Sequence, residues 1–122
     1  MTIRPPESCE TMAEVRAGVD AVDAEMVALL ARRFGYMRAA ARIKTDRATV
    51  RDEDRKAQVI AAVKNAARAN AVPEPLVAAL WEMLVESSIA YEMALFDAGE
   101  RGVGLAFQRH TFTPPGDRGA PR

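Results

Sequence analysis

Residues 15–33 read VRAGVDAVDAEMVALLARR, and the spacing inside this stretch decides the fold. Val15, Val19, Val22, Met26 and Leu29 step by four, three, four and three, the period of an apolar helical stripe. The next position on that stripe is Arg33, and no acidic residue lies within four places of it on either side. A cation on a stripe meant for burial requires an anion, because a buried charge without a partner is costly. The anion is either a carboxylate on another helix or a ligand. Arg16, Lys44 and Arg55 raise the same question elsewhere, and the four together suggest a chain built around a small polyanion.

Working outward, the helix is expected to run from Thr11 to Lys44, since it holds no proline and only isolated glycines, Gly18 and Gly35. Thr11 followed by Glu14 fits a capping box, in which hydroxyl and carboxylate satisfy each other's free backbone amides. At about 1.5 Å per residue the helix would be roughly 50 Å long. A compact monomer of this size cannot cover such a length, so the stripe is expected to pack against a second copy. Residues 45–51 (TDRATVR) lack helical periodicity and read as a loop. A second helix is expected from about Asp52 to Ala69, with Val59, Ile60 and Val63 facing inward. NAVPEP at 70–75 is a break, because its two prolines cannot sit inside a helix. Pro75 suits the first turn of a third helix from about Glu74 to Asp97. The expected class is all-α: three helices, the first much the longest, in an intertwined homodimer. Residues 1–10 form an N-terminal arm, 11–98 the helical domain, and 99–122, rich in Gly, Pro and Arg, a tail expected to be disordered or loosely docked.

Composition removes several functional classes. The 122 residues allow one domain. Seventeen basic and seventeen acidic residues give a net charge of zero, with no global field to attract nucleic acid or an anionic membrane. The single cysteine, Cys9, excludes an internal disulfide and a zinc-finger type of metal site. The single histidine, His110, lies in the tail, leaving no material for a histidine triad. No stretch suits a signal peptide or a membrane span, and a cytoplasmic protein is expected.

Helical geometry sorts the basic residues. Arg33 and Lys44 are eleven positions apart, about 1100° of rotation, so they face within roughly 20° of each other and lie roughly 16 Å apart along the axis. Arg16 precedes Arg33 by seventeen positions, roughly 25 Å along the helix and about a quarter turn around it. One small molecule cannot touch both on one straight helix, so an Arg16 that serves the site comes from another protomer. On the third helix, Val77, Trp81, Leu84, Ser88, Glu92 and Leu95 step by four, three, four, four and three. Ser88 and Glu92 are therefore polar intruders on an apolar stripe, one turn apart. Two readings stand: Glu92 pairs with a core arginine while Ser88 bonds back to its own helix, or both face a ligand, with Glu92 desolvated and holding a proton that it can donate. Trp81, Phe34 and Tyr36 read as core, Met12, Met26, Met37, Met83 and Met93 as ordinary packing, and Arg32 and Arg38 as solvated.

VRAGVDAVDAEMVALLARR, the lysine at 44, VRDEDR at 50–55 and LVESSIAYE at 84–92 together resemble the all-helical (AroQ-class) chorismate mutases. The resemblance covers roughly residues 7–97 and includes order and spacing. It implies that Arg16 is donated by the partner subunit and that Arg33 clamps a substrate carboxylate. It makes Lys44 a hydrogen-bond donor to the ether oxygen and a carboxylate, with Asp52 and Arg55 lining the site from the second helix and Ser88 and Glu92 from the third. PPESC at 5–9 and FGYMRAAARIK at 34–44 resemble the salicylate-forming isochorismate pyruvate lyase branch, whose members also carry some mutase activity. Two positions depart from the usual mutase. Lys56 stands where a glutamate binds the substrate hydroxyl, which argues against a fast mutase, and Glu92 stands where a glutamine is common.

The implied chemistry suits these residues. Chorismate and isochorismate are dianions whose enol ether breaks in a concerted pericyclic step that requires no nucleophile, metal or cofactor. Two arginines grip carboxylates with planar forks. A lysine and a protonated carboxyl stabilise charge on the ether oxygen in a dry site. Chorismate mutase is the shared family reaction and isochorismate pyruvate lyase the alternative. The competing class is a catalytically silent helical dimer with a regulatory role.

Overall fold

The computed structural model describes residues 3–100, with side chains described as far as Gly99. All of its regular structure is helical: α1 over Met12–Ile43, α2 over Glu53–Ala69 and α3 over Glu74–Glu100, with short 3-10 turns at Pro6–Ser8 and Arg47–Thr49. The expected tail, 99–122, thus begins inside α3, and its residues beyond Glu100 lie outside the described ones. α3 runs three residues past the expected end at Asp97, with no proline or charge cluster to stop it. The chain divides into two compact units, one ending at Gly35 and the other beginning at Tyr36.

In the first unit the expected capping box is present. Thr11 Oγ1 accepts from the Glu14 amide at 3.1 Å, and Glu14 Oε1 accepts from the amides of Thr11 at 3.1 Å and Glu10 at 2.7 Å. Arg4 Nε holds the other carboxylate oxygen at 2.9 Å, which folds the N-terminal arm back toward the helix start. The stripe residues Val15, Val19, Val22, Met26 and Leu29 are 37–57% exposed. An apolar groove of about 590 Å³ lies between arm and helix, lined by Ile3, Pro5, Pro6, Cys9, Val15 and Val19 among others, and it contains none of the candidate site residues.

The second unit is built on the packing of α2 against α3. Its buried residues are Val50, Ala67, Val77, Val85 and Ala98, joined by the polar Ser88 and Glu92. Val59, Ile60 and Val63 are half-buried on α2, as their spacing predicts. Ion pairs along the outside bind the same two helices. Lys56 Nζ sits 2.7 Å from both Glu82 and Glu86, the Arg51 guanidinium 2.6 Å from Glu86, and Arg68 2.8 Å from Glu74.

Several expectations fail locally. The stretch 45–51 contains a hydrogen-bonded 3-10 turn, because Asp46 Oδ1 caps it by accepting from the Ala48 amide at 3.0 Å. α2 starts one residue late, since Asp52 is its N-cap and accepts from the Arg55 amide. Tyr36 is 67% exposed, and Met12, Met26 and Met83 are likewise exposed, so none of these is core packing within the chain. Arg38 is not simply solvated: it is half-buried and donates to Tyr91 Oη at 3.1 Å.

α2 ends in a Schellman motif, with Val72 N bonded to Ala67 O at 2.9 Å and Ala71 N to Arg68 O at 3.3 Å. The residue forced to positive φ is Ala71, at 56°, where glycine is the usual occupant.

Candidate active site

Lys44 follows directly on the last residue of α1, where the helix has stopped but its final carbonyls still attract a cation. Its ammonium lies 2.8 Å from Glu92 Oε2 on α3 and donates to Thr49 O at 3.0 Å. The Glu92 side chain is 5% exposed and that of Lys44 29%. Despite the short distance, the ammonium approaches Oε2 outside hydrogen-bond geometry, so this buried oxygen has a counter-charge but no aligned donor.

The remaining candidates take different positions. Ser88, one turn before Glu92, is 3% exposed and donates back to Leu84 O at 2.7 Å. Its hydroxyl therefore bonds back to its own helix, as the first of the two readings of that residue expects. Asp52 is occupied as the α2 N-cap. The Arg55 guanidinium is exposed and donates to the Gln58 amide oxygen at 3.5 Å. Arg16 and Arg33 belong to the first unit, Arg16 exposed and Arg33 half-buried. Lys44 and Glu92 are in direct contact, and Glu92 faces a lysine where one of the two readings paired it with a core arginine.

Lys56, the residue that departs from the mutase pattern, is directed to α3. With both Glu82 and Glu86 at 2.7 Å, its ammonium is held firmly protonated, by Glu82 first. The same network holds the Glu86 carboxyl down to about 2, chiefly through the Arg51 hydrogen bonds and then Lys56. The Arg51 guanidinium is raised in turn, first by Glu86.

Residues 15–93 match the family model of chorismate mutase type II. The chain belongs to that family. The matched span takes in Arg16, Arg33, Lys44, Asp52, Arg55, Ser88 and Glu92, and the three-helix, strand-free architecture of the described residues is that of an all-α member. The chain is also similar to an isochorismate pyruvate lyase of Pseudomonas aeruginosa. The two are 29% identical over 91 residues, which covers 75% of this chain and 90% of the lyase. Family membership makes this a chorismate mutase-type pericyclic enzyme. No helix among the described residues is long and apolar enough to cross a membrane.

Sequence spacing singled out Lys44 and Glu92 separately but did not join them. It missed the role of Thr49, whose backbone carbonyl accepts a hydrogen bond from Lys44, and the clasp of Arg47 on Asp97, fifty positions apart. Neither carries a sequence signal, since a carbonyl is present at every residue and the clasp has no local register. Val50, the large apolar residue in TDRATVR, was the visible sign that this loop is anchored, and it is 4% exposed.

Proposed function

We propose that the protein converts a chorismate-type dianion by cleavage of its enol ether, with chorismate to prephenate as its main reaction. The Lys44–Glu92 pair carries this reading: a nearly buried carboxyl without an aligned donor, beside an ammonium, suits a bridging ether oxygen that gains negative charge as its C–O bond breaks. A protonated Glu92 and Lys44 would then donate to the same oxygen. Arg33 and the partner subunit's Arg16 would grip the two carboxylates, Arg55 and Asp52 would line the site from the start of α2, and Ser88 would line it from α3. The ring carbon and the enolpyruvyl methylene form the new C–C bond as the C–O bond breaks, with no external reagent.

A homodimer completes the site. The exposed stripe Val15, Val19, Val22, Met26 and Leu29 supports it, because soluble monomers rarely leave a contiguous apolar face of this length uncovered.

Two observations favour isochorismate pyruvate lyase as a second reading. One is the similarity to the Pseudomonas aeruginosa lyase. The other is Lys56, which is committed to α3 carboxylates and cannot replace a glutamate as acceptor for a substrate hydroxyl. In that reaction a ring hydrogen moves to the enolpyruvyl methylene as the C–O bond breaks, giving salicylate and pyruvate. Incubation with chorismate and isochorismate separately, with product identification, distinguishes prephenate from salicylate. Absence of both products, together with no thermal stabilisation by either dianion, would leave the silent helical dimer as the better reading.

A further inference from the structure

Lys44 lies beyond the end of α1, so the helix does not by itself fix its ammonium. A chain of contacts leads from that ammonium to the far part of α3. Thr49 O accepts from Lys44 Nζ at 3.0 Å. Thr49 closes the 3-10 turn, its amide donating to Asp46 O at 3.0 Å and its hydroxyl to the same oxygen at 2.6 Å. Inside the turn, Arg47 extends a two-pronged fork to Asp97, Nε to Oδ1 at 2.8 Å and Nη2 to Oδ2 at 3.2 Å. Val50, buried immediately after the turn, anchors its other end.

We infer that Arg47 and Asp97 are positioning residues for Lys44. Their fork fixes the 3-10 turn against α3, so the Thr49 carbonyl accepts one hydrogen bond from the ammonium and holds it beside Glu92, where it can donate to the reacting ether oxygen. A planar guanidinium with both prongs engaged sets orientation as well as distance. α3 thereby holds both donors to the ether oxygen, Glu92 directly and Lys44 through the turn. The fork is largely solvent-exposed, with side-chain exposures of 56% for Arg47 and 30% for Asp97, and exposed pairs contribute little to global stability. Its main consequence is the placement of one ammonium.

This inference rests on the proposed role of Lys44 at the ether oxygen, and its test separates the two. Steady-state kinetics on the full-length protein, with whichever of chorismate and isochorismate it turns over, would compare Arg47→Ala, Asp97→Asn, Lys44→Ala and the charge swap Arg47→Asp/Asp97→Arg. Arg68→Ala, which breaks the Arg68–Glu74 pair instead, controls for general loosening of the helix pair. Arg47→Ala and Asp97→Asn should each lower kcat about tenfold, since small misplacement of a catalytic group is costly, with KM within about twofold and little change in thermal midpoint. The swap should regain most of the loss, and Arg68→Ala should match wild type. Wild-type kcat in both single variants, with a large loss in Lys44→Ala, overturns the inference and leaves the role of Lys44 intact. Wild-type kcat in Lys44→Ala overturns that role, and the inference with it.

Discussion

Lys44 and Glu92 meet at 2.8 Å although one follows the end of α1 and the other lies two-thirds of the way along α3. Neither helix alone makes a site. On α3, Glu92 interrupts an apolar stripe at a cost in desolvation that a core leucine would not incur. At the end of α1, Lys44 supplies the opposite charge but leaves Oε2 without an aligned hydrogen bond.

Lys44→Ala should act on the chemical step. Removing one preorganised donor from a developing oxyanion lowers kcat by a factor of about 10² or more. A loss confined to KM would make Lys44 an anchor for a carboxylate and nothing else.

Arg16→Ala and Arg33→Ala homodimers should each be nearly inactive, and mixtures should regain activity. In a mixed dimer with shared sites, one site carries both lesions and the other carries none. Mixing without recovery, when subunit exchange is verified by mass, rules against a site built from two chains.

The network around Glu86 makes a stability prediction with a definite sign. Its folded carboxyl is held at about 2 against an ordinary 4.5. A depressed carboxylate stabilises the fold fully above the ordinary value and loses that contribution as pH falls from about 4.5 through about 2. Solvent screening keeps the effect modest. The thermal midpoint of wild type should therefore fall more steeply over that acid range than that of Glu86→Gln. Parallel curves would show that Arg51 and Lys56 do not couple to Glu86 in solution.

Ala71 pays a steric cost at φ 56° that glycine avoids. Ala71→Gly should stabilise the fold by about 1 kcal/mol, offset in part by the greater freedom of glycine in the unfolded chain. Thermal denaturation should register a rise of a few degrees. A lower midpoint would mean that the Schellman turn is not formed as described.

The helices and their caps were legible because their signals are local. Thr11 and Glu14 lie three positions apart, the prolines of NAVPEP are adjacent to the break they cause, and Ser88 and Glu92 announce themselves by interrupting a periodic stripe. The contacts that turn a stripe into a site are not local. Nothing near Arg47 in sequence points to Asp97, and nothing near Lys56 points to Glu82 and Glu86. Arg38 was misjudged for the same reason, since its partner Tyr91 lies on another helix. Exposure of Tyr36 and Met83 likewise follows from which faces the helices happen to bury, which period alone leaves open.

Glu92→Gln distinguishes the two roles open to the buried carboxyl. As a donor to the ether oxygen, Glu92 works only while it carries a proton, and glutamine offers a permanent amide donor of similar size. The variant should then retain substantial activity. As a counter-ion for Lys44, Glu92 works only while charged, and glutamine would leave the ammonium beside a neutral group at the cost of a broken buried pair. That role predicts lower stability together with a large loss of activity. A kcat for Glu92→Gln as low as that of Lys44→Ala would remove Glu92 as a donor to the reacting oxygen, and the ion pair with Lys44 would then be its whole function.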